Sequence, residues 1–442
     1  WSFGPRIFNG FTECIIPFYS IRCDCLYCVT RSFDERWCST IVDVVRHIRA
    51  SALGAVRRMS PIAAVICVAL LVAPLLPPSP SILYNWHDGV LVAPFRIWRY
   101  ISIAVILMIF ILVGKIKDPF VGGVLLLAVL VFFSTWMCDG SKRDCVYDWS
   151  GYVAAVLLVA MLCRIRMKEL LQGVLATVVL MSLLNIVSVL LFPDGVYDLN
   201  VYFYGNRNIA YQLSFLAIAC AIVLDIGNGG KAKVLTFVFV AIALFQILLV
   251  RSATSCIAAL LLCVALAAMR WRRARGVLNG ITMLLVSVLL FVLVVVCRIS
   301  DLFAPFVTGV LGKSLSLSGR TYIWDLMFSL FDGWHIWFGY GFSGSSLIYV
   351  NGGHYNHAHN MYLDAWFLGG LIFLFVFVAL LLAVSVRLYR TRDWMVSSIL
   401  SAVFGAYLIV GVTEPMTRVS FFVMLALCFY LSRYACRQGR VP

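Results

Sequence analysis

From Pro61 onward the chain alternates long apolar runs with short polar punctuation. Twelve such runs lie near 61–79, 99–114, 119–138, 149–163, 170–192, 208–226, 233–250, 254–270, 277–299, 361–386, 395–414 and 419–434. An uninterrupted apolar stretch of roughly 20 residues predicts a helix that crosses a bilayer, because only a helix satisfies its own backbone there. The expected fold class is an all-α polytopic membrane protein with about twelve transmembrane helices. The second and fourth runs are short and are expected to be extended or tilted. Residues 1–58 break the pattern, with no 18-residue apolar run, eight arginines and five of the 15 cysteines. They are expected to be either a cytoplasmic tail or an artefact of the gene model, with translation starting at Met59, the first methionine. Residues 435–442 read as a short cytoplasmic tail.

Composition narrows the class further. At 63% hydrophobic and 12% charged, the chain is neither an ordinary soluble domain nor a disordered one. The net charge of +15 fits cytoplasmic loops facing anionic lipid, and no long basic segment exists to hold nucleic acid. With a cytoplasmic N-terminus, every inside loop is basic: Lys115 and Lys117, then Arg164, Arg166 and Lys168, and so on to Arg387, Arg390 and Arg392. The outside loops hold most of the acids, including Asp148, Asp301 and Glu414. The positive-inside rule therefore predicts that both termini are cytoplasmic. Cys25-Leu-Tyr-Cys28 lacks the second ligand pair of a zinc site. Cys138 and Cys145 flank one short outside loop, where they could close a disulfide.

One outside loop is long. Residues 300–360, between spans nine and ten, are too rich in aromatics for disorder, with Phe303, Phe306, Tyr322, Trp324, Trp334, Trp337 and Tyr340 among them. Gly319–Phe331 places Ile323, Leu326, Met327 and Leu330 at helical spacing and predicts an amphipathic helix lying on the membrane surface. Phe338-Gly-Tyr-Gly-Phe-Ser-Gly344 predicts a turn needing positive φ and close backbone approach. His354, His357 and His359 follow, where span ten enters the bilayer. No carboxylate or cysteine sits beside them at metal-ligand spacing, so no metal or other cofactor is expected. A polar interfacial cap is the plain reading. It competes with a functional one because Arg207, Arg251 and Arg320 lie on the same face, where arginine is disfavoured. Together they suggest an anionic ligand at the outer leaflet.

A lipid-linked diphosphate sugar fits that chemistry. Transfer outside the membrane draws on the donor's own phosphoester bond. The diphosphate leaves as an anion and needs cations, which guanidinium groups supply bidentately. A histidine can take the proton from the acceptor hydroxyl near neutral pH. No D-x-D motif is present to hold a metal-bound nucleotide sugar.

Ser318-Gly-Arg-Thr-Tyr-Ile-Trp324, Phe338-Gly-Tyr-Gly341, His359-Asn-Met-Tyr-Leu-Asp364 and Gly369-Gly370 resemble the O-antigen ligase and polymerase superfamily. Tyr204-Gly-Asn-Arg-Asn208 and Ser252-Ala-Thr-Ser255 look like its upstream motifs. The resemblance implies a GT-C-like transmembrane domain over 59–434, with one large periplasmic loop between spans nine and ten. It also implies a metal-independent, inverting glycosyltransferase of the bacterial inner membrane with a periplasmic site. The implied donor is an undecaprenyl-diphosphate-linked glycan. The acceptor is a lipid A core sugar for a ligase or a growing glycan for a polymerase. By motif position His359 is the implied base, and Arg320 binds diphosphate. The family often reads Ser-Arg after span seven where this chain reads Arg251-Ser252, so Arg251 and Arg207 both stand for that role. His357, Asn360 and Trp324 are expected to contact substrate. Phe373 stands where the ligase motif has Gly, Thr or Tyr, and exopolysaccharide polymerases share the Ser-Gly-Arg-Thr wording; both leave ligase and polymerase open. A transporter of lipid-linked sugars is a weaker alternative, since no internal repeat is evident.

Overall fold

A computed structural model describes residues 35–114, 117–299, 320–342, 347–350, 353–354, 357–416 and 418–437. The Cys25/Cys28 pair, Phe303, Phe306, Ser318, Gly319, Ser343, Gly344, Asp301 and Lys115 lie outside them. The chain divides after Arg58 into two units. The first, as described, is one helix, α1 (Glu35–Arg58), with Arg57 and Arg58 in its last turn.

In the second unit each apolar run carries a helix. In order these are α2 (Pro61–Val72), α3 (Val92–Val113), α4 (Pro119–Met137), α5 (Lys142–Ile165), α6 (Met167–Leu191), α7 (Tyr211–Gly227), α8 (Lys233–Leu249), α9 (Ala253–Ala268) and α10 (Gly280–Phe291). The loop helix α11 (Arg320–Leu330) follows, then α12 (Met361–Arg390), α13 (Met395–Gly411) and α14 (Val419–Arg437). Six helical segments are long and apolar enough to cross a membrane: α3, α4, α5, α6, Arg207–Gly227 and α12. Shorter apolar helices, such as Lys233–Leu249 and Met395–Gly411, fall below that length. Two runs are longer as helices than their hydropathy indicates. α3 starts at Val92 and α5 at Lys142, each taking in polar turns that the apolar pattern leaves out. Ser141 starts α5 by accepting the Asp144 N–H at 3.3 Å.

The core forms where helices are buried all round. Along α5, every residue from Gly151 to Cys163 except Val153 is buried, and most of α7 and α13 is buried too. Aromatic rings key α5 to α14, with Tyr152 stacked on Phe422 at 5.0 Å and Trp149 edge-on to the same ring at 5.7 Å. No disulfide joins Cys138 and Cys145. Cys138 faces the Gly339 carbonyl instead, at 3.7 Å.

Two features of the long loop position the site. The apolar stripe of α11 is Ile323, Trp324 and Met327, all buried in a cluster with Val295, Ile348, Ala358, Leu363, Phe367 and Val412. That stripe therefore packs on protein rather than being left for lipid, while Tyr322 and Phe328 on other faces are exposed. The Gly-Tyr-Gly turn has the positive φ its sequence predicts, at Gly339 (68°) and Gly341 (59°). It wedges against a break in α12 at Gly369–Gly370, where φ of Gly370 is 72°. The Tyr340 N–H donates to the Phe367 carbonyl at 2.7 Å. A Cβ on Gly370 would sit 2.0 Å from the Trp337 carbonyl, and one on Gly339 2.5 Å from that of Phe367. Only glycine admits this backbone-on-backbone contact.

Candidate functional site

The segment entering α12 is fixed from three sides. Asn360 caps the helix: its Oδ1 accepts the Tyr362 and Leu363 N–H groups, each at 2.9 Å. Its Nδ2 donates to the Val412 carbonyl at 2.7 Å, tying the cap to the end of α13. The Ala358 N–H donates to Asp364 Oδ1 at 3.3 Å, and its carbonyl accepts the Trp324 indole N–H at 3.0 Å. Asn360 and Trp324 are thus both fully buried and occupied with holding the loop. Between these anchors His359 adopts φ of 49°, a left-handed conformation costing about 1–3 kcal/mol for a residue with a side chain. Such strain persists only where neighbours over-determine it, and here they do.

The tie to Val412 brings in Glu414, two residues beyond. Its carboxylate is 2% exposed. Arg320 Nη2, from the first turn of α11, donates to Oε1, and His359 Nδ1 lies 3.5 Å from Oε2. One buried carboxylate therefore gathers the two groups that the sequence pairs for chemistry. The register of α11 is set by its buried stripe and by an ion pair between Arg298 and Asp325.

Beside this array opens a cavity of about 790 Å³. His357 is on its wall, with Arg418, Asp364, Asp148, Arg99 and Arg96. The His357 ring meets that of His359 edge-on at 4.2 Å. Burial, then the neighbouring His359, Arg418 and Arg320, hold the His357 pKa well below the usual imidazole range, so it is neutral at pH 7. Its Nδ1 is buried and has no hydrogen-bond partner among the described residues. His357 is on the wall of the hollow, and His359, between it and Glu414, keeps a side chain that is 20% exposed.

The upstream motifs meet one another. Ser252 Oγ donates to Asn208 Oδ1 at 3.1 Å and accepts from Ser255 Oγ at 3.0 Å. Tyr204 and Asn206 reach the cavity wall, whereas the exposed side chains of Arg207 and Arg251 do not. Arg251 sits at positive φ, 54°. Among the described residues no three His, Cys, Asp or Glu side chains gather as a metal site.

Sequence reasoning reads Glu414 and Asp148 only as outside-loop acids, and passes over Arg96, Arg99 and Arg418. The signal for Arg418 is present: the basic-loop pattern assigns it to an outside loop, where the positive-inside rule disfavours arginine. Arg96 lies just before the second apolar run, and Arg99 is its first residue.

Residues 237–378 match the family model described as O-Antigen ligase. That stretch runs from α8 through the loop helix, Arg320, His359 and the Gly369–Gly370 break. No curated protein matches the chain. The match and the motifs agree: over this segment the chain is similar to the O-antigen ligase family, and both support the O-antigen ligase and polymerase superfamily.

Proposed function

We propose that the protein transfers a glycan from undecaprenyl diphosphate to a sugar hydroxyl, at the periplasmic face of the bacterial inner membrane and without a metal. The observation that carries this reading is the gathering of Arg320 and His359 on buried Glu414, next to a cavity lined by arginines and a neutral histidine. Arg320 spends one N–H on Glu414, and its remaining donors suit the diphosphate. As the bond between the anomeric carbon and the phosphate oxygen breaks, negative charge grows on the leaving diphosphate. Fixed guanidinium groups stabilise that charge in a site sheltered from water. His359 takes the acceptor hydroxyl's proton as the new carbon–oxygen bond forms on the opposite face, giving inversion. Glu414 keeps the imidazole aimed and stabilises the imidazolium that results. His357, neutral and on the wall, accepts a hydrogen bond from a sugar hydroxyl. Twelve crossings with both termini cytoplasmic would put this array outside.

Lipid A core is the acceptor in the first reading, that of a ligase. A polymerase extending a growing glycan is the second, favoured by Phe373, which is buried edge-on to Trp149 at 5.7 Å where the ligase motif has a smaller or polar residue. The test is a reconstituted transfer reaction. Purified protein in liposomes receives undecaprenyl-diphosphate-linked glycan and, in parallel, lipid A core or free glycan acceptor, with and without EDTA. Product in one acceptor arm, unaffected by EDTA, is expected and decides between the readings. No product in either arm, or strict dependence on a divalent ion, refutes the proposal.

A further inference from the structure

Far from Glu414 in sequence, two turns into α3, Arg99 is 1% exposed and yet lies on the cavity wall. Its guanidinium lies over the Tyr147 ring, 4.1 Å from the centroid, and donates to the Tyr147 carbonyl at 2.9 Å. The Pro74 carbonyl is at the edge of hydrogen-bond range, 3.5 Å. Its Nε makes no hydrogen bond among the described residues. Among the described residues no carboxylate lies within ion-pair distance of it, although Asp148 on the same wall is near enough to feel its charge. The chain makes room for this group: a Cβ on Gly151 would sit 2.4 Å from Nη2. A buried cation without an ion partner is expensive, and in a membrane protein such a group marks a ligand path. Four arginines (Arg96, Arg99, Arg143, Arg418) face three aspartates (Asp144, Asp148, Asp364) around the hollow, which leaves it net positive with His357 neutral.

We infer that Arg99, Tyr147 and Asp148 form a saccharide subsite for an acidic sugar of the glycan being joined, distinct from the Arg320–Glu414–His359 array. Arg99 is held rigidly, stacked and pinned, so an incoming carboxylate or sugar phosphate meets donors already in place. Asp148 accepts from hydroxyls of the same residue, and Tyr147 carries the apolar side of the guanidinium. The inference rests on the glycan-transfer reading above and names the class of sugar that the site selects.

The test is direct binding to purified full-length protein in nanodiscs, by isothermal calorimetry. The probes are tetragalacturonate, its methyl ester, which has the same shape without the charge, and inorganic pyrophosphate. Wild type is expected to prefer tetragalacturonate to the ester by about tenfold or more, the scale of one charge-assisted bidentate contact. Arg99→Gln is expected to erase that preference. Gly151→Ala keeps the charge but displaces the guanidinium, and should erase most of it. Arg320→Gln should leave the preference intact and weaken pyrophosphate binding. Equal affinity of wild type for acid and ester overturns the inference, as does a preference that survives both Arg99→Gln and Gly151→Ala. So does pyrophosphate binding that depends on Arg99, which would assign this arginine to the diphosphate. If the acid preference is absent while pyrophosphate binds through Arg320, the subsite fails and the transferase reading stands. An Arg99-dependent acid preference in a protein that forms no product supports the subsite and removes the reading.

Discussion

Two buried carboxylates, one at each end of α5, are built from similar parts and do different things. Asp118 caps α4 at one end, accepting the Phe120 N–H at 3.1 Å, Arg164 Nη2 at 2.7 Å and the Tyr430 hydroxyl at 2.9 Å. Phe120 and Phe429 stack on each other with ring centroids 4.5 Å apart. Every partner comes from a packed helix or its cap. Glu414 also draws an arginine and a ring, but its arginine comes from a loop helix and its ring from a strained residue beside a cavity. A closed, fully satisfied network locks helices together; an open one leaves donors free for a ligand. The lesson is that a buried ion pair reads as structure or as chemistry according to what lies next to it.

That contrast can be broken from either side. The largest expected effect is on transfer by His359→Ala, a fall of about 10²–10⁴ with donor lipid still bound, the range for losing a general base. Full turnover in a purified assay would remove His359 from the chemistry. Asp118→Ala should act on stability alone, lowering unfolding free energy by about 3–5 kcal/mol through the stranded Arg164, with turnover per folded molecule unchanged. A matching loss of turnover would erase the distinction between the two ends. Arg320→Lys keeps the charge and loses the fork, and should slow transfer by roughly tenfold to a hundredfold. The smallest effect is on pH. His357 stays neutral in the folded protein while the unfolded chain's imidazole, pKa about 6.5, takes up a proton. Stability is therefore full above that value and falls below it, by at most about 1.4 kcal/mol per pH unit until the folded pKa is reached. Thermal melts of His357→Gln should show a flatter acid limb than wild type; an identical limb would contradict a neutral, buried His357.

The helices were legible because hydropathy over a full crossing is a strong signal, and each apolar run carries one. The Gly-Tyr-Gly turn was legible as a backbone requirement, and the Gly369–Gly370 pair only as part of the family resemblance. Arg320 and His359 were legible as a pair by motif, but their meeting point was not. Glu414 follows α13, distant in the chain from both, and nothing local in Thr413-Glu-Pro415 announces a partner. Arg99 was hidden by the same pattern that reveals the helices. The second run begins at Arg99, which leaves the residue at the run's edge, whereas the helix goes on for two more turns toward its start and buries it. The stripe of α11 was read without Trp324, which is fully buried beside Ile323 and Met327 with its indole N–H on a carbonyl, while Leu326 and Leu330 pack partly buried against the same cluster.

The break at Gly369–Gly370 has a consequence for how such a protein can diversify. The joint between the loop and the long helix is riveted through main-chain atoms, so its geometry is indifferent to which side chains surround it. Residues on the rim can be exchanged, reshaping the mouth for a new polymer, while the hinge pin stays where it is. A single methyl group at Gly370 would instead pry the two rods apart and swing the whole entry segment off its seat.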